Sequence, residues 1–164
     1  MTTYSTVYVG LGSNQGHPIH QVKQALLTLD TLPCTHLETH SALYCGPPLG
    51  PQNQPDYINA VAILKTLLPP LALLYELQAI ENKQGRVRQI QRWGPRTLDL
   101  DMLLYENKQL NTPLLTLPHP GLYKRAFVLF PLYDCVPNLV LPNEQRLSDL
   151  IQRFVVKELH KLNV

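Results

Sequence analysis

The tetrapeptide Leu98-Asp99-Leu100-Asp101 places two carboxylates two residues apart. In a strand, alternate side chains share a face, so Asp99 and Asp101 point one way and the leucines the other. Like charges on one face repel unless a cation or basic groups neutralise them. Paired hard oxygens suit Mg²⁺, which commonly takes one or two carboxylates and completes its shell with phosphate oxygens and water. Taken alone, the pair reads more readily as the solvated acidic face of an edge strand. The preceding residues change that balance. Lys83 is followed by Arg86, Arg88, Arg92 and Arg96, with Trp93 among them. Each guanidinium offers a planar fork of donors matched to phosphate oxygens, although a basic segment by itself can be merely solubilising. A basic run leading into a carboxylate pair is what a metal-polyphosphate complex needs. The metal neutralises one part of the anion and the arginines the rest.

Other groups are weighed in the same way. His119 lies in Pro118-His119-Pro120, ahead of Lys124 and Arg125. Its backbone is restrained, and the ring can donate to a phosphate, act as a general acid, or simply hold a turn. His17, His20, His36 and His40 have no further ligands beside them and read as surface residues, as does His160. The segment 10–16 lacks both the Walker A ending and the G-x-G-x-x-G spacing, so it reads as a turn into a helix capped by Ser13 or Asn14. Cys34, Cys45 and Cys135 form no C-x-x-C pair, which argues against a zinc site or a disulfide framework and fits a reducing compartment. None has the setting of a nucleophile. Tyr57 and Asn59 share a face if extended, and Phe127 follows the histidine segment. Aromatic planes beside an amide suit a flat heterocycle, with core packing as the alternative.

The elements that must position these groups follow from periodicity. Residues 7–11 read as a strand, and 19–32 as a helix with Ile19, Val22, Leu26 and Leu29 at helical spacing. Residues 37–44 and 57–67 read as strands, separated by the proline-rich loop 45–55. Pro69 and Pro70 open a second helix to about Asn82, its apolar face running through Leu71, Leu74, Leu77 and Ile80. Residues 98–104 return to strand, 114–117 is extended, and 125–133 is helical in part with an interruption at Pro131. A last amphipathic stretch spans 147–162. The outline predicts a mainly antiparallel α+β sandwich, helices packed on the sheet, with two long loops at the active site.

With 164 residues, 45% hydrophobic and 16% charged, the chain fits one packed domain over 1–164. A net charge of +2 is too small to argue nucleic-acid binding. No apolar run approaches a membrane span of ~18 residues, and no signal peptide is evident. The expectation is a cytoplasmic protein without membrane or nucleic-acid partners.

The string Arg92-Trp93-Gly94-Pro95-Arg96-Thr97-Leu98-Asp99-Leu100-Asp101 closely resembles the signature of the 6-hydroxymethyl-7,8-dihydropterin pyrophosphokinases of folate biosynthesis. Gly12-Ser13-Asn14, the stretch 47–60, the stretch 81–88 and pieces of 118–131 fit the same family in order. The resemblance implies a ferredoxin-like fold and a monomer. It implies transfer of pyrophosphate from ATP to the pterin hydroxymethyl group, releasing AMP, with two Mg²⁺ ions. By likeness, Asp99 and Asp101 hold the metals and are catalytic together with Arg86 and Arg96. Arg86, Arg88, Arg92, Trp93, Arg96, Thr116, His119 and Arg125 serve ATP. Gly46, Pro47, Pro48, Leu49, Tyr57, Asn59, Trp93 and Phe127 serve the pterin, Tyr57 and Phe127 sandwiching its ring. Glu81 is expected to anchor the basic loop. Pro120 stands where some members carry tyrosine, and Gly46 offers only backbone.

Such chemistry needs in-line positioning and charge neutralisation rather than a covalent intermediate. Two rival readings exist. A nucleotide-sugar transferase also uses an Asp-x-Asp pair, but the chain lacks a doubly wound nucleotide domain. A ferredoxin-like RNA-binding domain would suffer from an acidic pair that repels phosphates.

Overall fold

The β-branched and aromatic run Val7-Tyr8-Val9 lies inside β1 (Ser5–Ser13), which pairs antiparallel along its whole length with β4 (Tyr57–Thr66). The computed structural model describes residues 3–85, 97–154 and 158–164. Between those strands come α1 (Pro18–Leu29), β2 (Thr35–His40) and β3 (Tyr44–Gly46). After them come α2 (Pro70–Lys83), β5 (Asp99–Tyr105) and a small two-stranded sheet of β6 (Leu110–Asn111) and β7 (Thr116–Leu117). A 3-10 turn (Leu122–Lys124), α3 (Ala126–Cys135), α4 (Leu147–Ile151) and β8 (His160–Lys161) complete the order. The main sheet runs β5-β1-β4-β3-β8, with β2 also on β4, and its pairings are antiparallel. The β-α-β-β-α-β order with the first and third core strands at the centre is the expected ferredoxin-like arrangement.

The sheet is covered on both faces. Val9, Leu11, Ala62, Leu64 and Leu100 pack against Val22 and Leu26 of α1 and Leu73 and Leu77 of α2. Val61, Leu103 and Leu104 pack against Leu129 and Leu132 of α3 and Leu147 of α4. This two-sided burial explains why β4 reads as a continuous apolar run instead of alternating. A register shift between β1 and β5 at Tyr8/Val9 lets Leu103 and Leu104 both enter the second core while Met102 and Tyr105 stay in the first.

Four expectations need correction. The single strand at 37–44 is two strands. Buried Ser41 breaks the ladder by accepting the Val61 N–H on its hydroxyl at 2.9 Å, so the chain must re-enter the sheet as β3. The α2 face is rotated: Leu73, Leu77, Ile80 and Glu81 are buried while Leu71 is exposed, because 73, 77 and 80 form the stripe toward the sheet. The helix at 125–133 continues through Pro131, whose burial compensates for one missing helix bond. The stretch 147–162 is a five-residue helix followed later by β8, which pairs with the edge of β3. Among the described residues, no helix is long and apolar enough to cross a membrane.

Candidate active site

Strand register assembles the site. Gly12 stands opposite Asp99 on one side and Asn59 on the other, and Asn59 stands opposite Tyr44. Directly paired residues share a face, so Asp99, Gly12, Asn59 and Tyr44 form one lateral row. Asp101, Gly10 and Val61 form the next row on that face. Tyr57 lies two residues from Asn59 and pairs with Gly46, so the carboxylates and the aromatic–amide pair occupy the same side of the sheet, the side that α3 covers.

Glycine makes this row possible. A Cβ on Gly12 would lie 3.0 Å from Asn59 Oδ1 and 3.6 Å from the Tyr57 ring. The bare backbone of β1 therefore forms the floor between the acidic strand and the Tyr57–Asn59 pair. Neither the composition nor the Gly-Ser-Asn motif indicated this role. The cap expected from Ser13 or Asn14 is absent: His17 is the N-cap residue of α1, and it makes no side-chain cap bond. Asn14, 1% exposed, donates instead to Gln54 Oε1 at 2.8 Å and to Pro55 O at 3.0 Å, fastening the proline-rich loop to the end of β1.

The acidic pair is presented from a braced strand. Leu98 and Leu100 are buried behind it, and β5 is an edge strand of the sheet. Glu81 of α2, itself 4% exposed, accepts the Leu100 N–H at 2.8 Å and so satisfies a backbone donor midway between Asp99 and Asp101. The expectation that Glu81 anchors the basic loop concerns residues 86–96, outside the described residues. Glu81→Ala is expected to lower unfolding free energy by about 1–3 kcal/mol, the cost of orphaning a buried donor. A urea melt reads it, and an unchanged midpoint would refute the brace.

His119 follows the cis Leu117–Pro118 peptide, and its N–H donates to Leu103 O at 2.9 Å, which docks the segment on β5. Its Nδ1 accepts the Gly121 N–H at 3.0 Å, so the neutral ring carries its proton on Nε2. That nitrogen lies 4.0 Å from Asp101 Oδ1, too long for a hydrogen bond. Burial holds the imidazole below its ordinary pKa and Arg125 adds to this, against an opposing pull from Asp101. His119 is thus a neutral N–H donor beside the acidic pair. Arg125 precedes α3, packs against the bare backbone of Gly121, and sets its guanidinium 5.8 Å from the Phe127 ring centroid. Phe127 is partly buried against the second core. Thr116 is half-buried in β7. Gly46 closes β3 beside Tyr57, and Pro47, Pro48 and Leu49 follow it, Pro48 buried and Leu49 exposed. Arg86, Arg88, Arg92, Trp93 and Arg96 lie outside the described residues; their flanks are Lys83 at the end of α2 and Asp99 at the start of β5.

No group of three or more His, Cys, Asp or Glu residues able to hold a metal occurs among the described residues. A half-exposed Asp101 with Asp99 on the same face instead fits a cation that takes most of its ligands from phosphate and water.

Residues 8–137 match the model of the 7,8-dihydro-6-hydroxymethylpterin-pyrophosphokinase (HPPK) family. The chain belongs to this family. It is 51% identical over 158 residues to a 2-amino-4-hydroxy-6-hydroxymethyldihydropteridine pyrophosphokinase of Haemophilus influenzae, covering 96% of this chain and 98% of that one. A protein of the same name from Pseudomonas aeruginosa is 52% identical over 145 residues, covering 88% of this chain and 89% of that one. Among solved structures, an HPPK-DHPS in complex with substrates superposes with a TM-score of 0.80 at 13% identity. That likeness supports the fold. It covers 99% of this chain, which spans 47% of the solved one.

Proposed function

We propose that this chain transfers the β,γ-pyrophosphoryl group of ATP to the hydroxymethyl oxygen of 6-hydroxymethyl-7,8-dihydropterin, releasing AMP, in folate biosynthesis. The observation that carries the reading is the family match over residues 8–137, joined to a lateral row that sets Asp99 beside Asn59 across one bare glycine. Under this assignment the metal-phosphate subsite lies on β5 and the heterocycle subsite on β4, with only β1 between them, as a transfer between two bound substrates requires.

In this reading Asp99 and Asp101 hold two Mg²⁺ ions, which neutralise phosphate oxygens when bound. Arg86, Arg88, Arg92, Arg96 and Arg125 contribute cationic donors to the triphosphate and the departing pyrophosphoryl group, and Trp93 contacts both substrates. His119 donates from Nε2, since its Nδ1 is occupied by the Gly121 N–H. Thr116 lies near the nucleotide. Tyr57 and Phe127 sandwich the pterin, Asn59 reads its polar edge, and backbone groups of Gly46, Pro47, Pro48 and Leu49 complete the pocket. Transfer is in line and needs no covalent enzyme intermediate. The span 1–164 acts as one domain, a cytoplasmic monomer; its size and packed two-faced sheet support the single-domain part.

Incubation with Mg-ATP and the pterin alcohol, followed by nucleotide analysis, tests the reading. AMP is expected in step with pterin consumption. ADP would mean ordinary phosphoryl transfer, and no turnover would refute the assignment. Chelation with EDTA should abolish AMP formation, and added Mg²⁺ should restore it.

A further inference from the structure

The transfer chemistry leaves a polar cluster at the β3 edge unused. Tyr44 Oη donates to Asp134 Oδ2 at 2.7 Å, and Lys161 Nζ lies 3.3 Å from Asp134 Oδ1. The same ammonium sits 5.8 Å from the Tyr44 ring centroid. These residues come from β3, α3 and β8, and β8 pairs with β3 at Tyr44 and Cys45. Beside them, Gly46 rests on the 158–164 segment, since a Cβ there would lie 2.9 Å from Leu159 Cδ1.

We infer that Asp134 is a positioning residue for the pterin, acting with Tyr44 and Lys161 as a clasp that sets the gap between Tyr57 and Phe127. The inference rests on the pterin subsite proposed above. Its geometry is carried by α3. Phe127 and Asp134 are seven positions apart on that helix, so they lie on one side of it, about 10 Å apart along its axis. One end of the helix brings an aromatic wall of the pocket. The other end is bonded to Tyr44, which stands opposite Asn59, two pairs along from Gly46 opposite Tyr57 and so on the same face. The Tyr44–Asp134 bond therefore fixes α3 against β3, the strand paired directly with the β4 segment that carries the facing wall and the amide.

A charge-assisted hydrogen bond is short and directional, so it limits sliding of the helix in a way that leucine contacts do not. Burial and the neighbouring carboxylate raise the Tyr44 pKa well above that of a free phenol, which keeps the hydroxyl a donor throughout the working pH range. Lys161 and the β8 pairing close the edge of β3. Leu159 supports Gly46, where the pterin loop leaves that strand.

The test separates positioning from general stability. Tyr44→Phe removes only the hydroxyl, Asp134→Ala removes the carboxylate that holds both Tyr44 and Lys161, and Lys161→Met perturbs a half-exposed side chain. KM for each substrate, kcat and Tm are measured for every variant. Tyr44→Phe and Asp134→Ala are expected to raise the pterin KM about tenfold, a loss within the range of one charged hydrogen bond, with the ATP KM held within about twofold. Lys161→Met should give a smaller rise in the same parameter. A folded Tyr44→Phe with a pterin KM within about twofold of wild type, or an equal rise in both KM values, would overturn the clasp. Should Asp134→Ala fail to fold, Tyr44→Phe decides. Asn59→Ala run in parallel distinguishes the two levels: if it too leaves the pterin KM unchanged, the pterin subsite itself is wrong.

Discussion

Asp101→Ala is expected to lower kcat by at least about a thousandfold while leaving Tm within a few degrees of wild type. The proposed metal site has two protein carboxylates on one strand face and fills its remaining positions from the substrate. Losing one carboxylate therefore removes a large share of the protein's hold on the cation. Metal-supplied charge stabilisation is worth several kcal/mol, and every ~1.4 kcal/mol is tenfold in rate, so about 4 kcal/mol gives the stated loss. The fold has little reason to suffer. The side chain is about half exposed, and the neutral His119 lies 4.0 Å away. Removing one of two like charges on a strand face also relieves repulsion with Asp99. AMP formation with saturating Mg-ATP reads the rate, and circular dichroism reads the melt. A folded variant with near-normal turnover would end the metal assignment. Asp101→Asn keeps the shape and should fall nearly as far, because the charge is what binds the cation.

The placement of the candidate site was legible where chemistry and period coincide in a short stretch. Asp99 and Asp101 alternate with buried leucines, so strand, face and charge were all readable from four residues. Tyr57 and Asn59 were placed on one face by the same two-residue period, and the β-α-β-β-α-β outline followed from the spacing of apolar residues. What escaped depends on pairing between distant strands. Nothing near position 12 announces that Gly12 lies opposite both Asp99 and Asn59, because register is set by the whole sheet. Ser13 or Asn14 reads as a helix cap because both residue types favour that position, whereas the Asn14 amide reaches Gln54 and Pro55, forty residues on. Ser41 ended a strand by offering its hydroxyl to Val61 N–H, a contact between segments twenty residues apart. The amphipathic spacing after 147 resembled a helix, but the open edge of β3 recruits His160–Lys161 as a strand instead. Each miss is a case of tertiary partners overriding local pattern.

The Gly12 floor carries the second large effect. Gly12→Val is expected to cut kcat/KM for the pterin by at least about a hundredfold, since a misplacement near 1 Å at a reacting site can cost that much. The Cβ alone meets Asn59 Oδ1 at 3.0 Å and the Tyr57 ring at 3.6 Å, and valine adds two methyl groups to that side. The Asn59 amide must then turn or withdraw, and the Tyr57 ring must tilt, so both the edge and the wall of the pocket move together. Gly12→Ala asks only that the amide yield by a few tenths of an ångström and should lose about tenfold, giving a graded series. Backbone strain does not explain such losses. Gly12 pairs regularly with both neighbouring strands, where valine is a better strand residue than glycine, so Tm should hold or rise slightly. The ATP KM should change less than the pterin KM, because the collision falls on the β4 side of the row and not on Asp99. A folded Gly12→Val enzyme with wild-type pterin kinetics would show that the heterocycle does not sit over this strand. A matching loss for both substrates would instead mean that the substitution spreads β1 from β5 and disturbs the acidic pair as well.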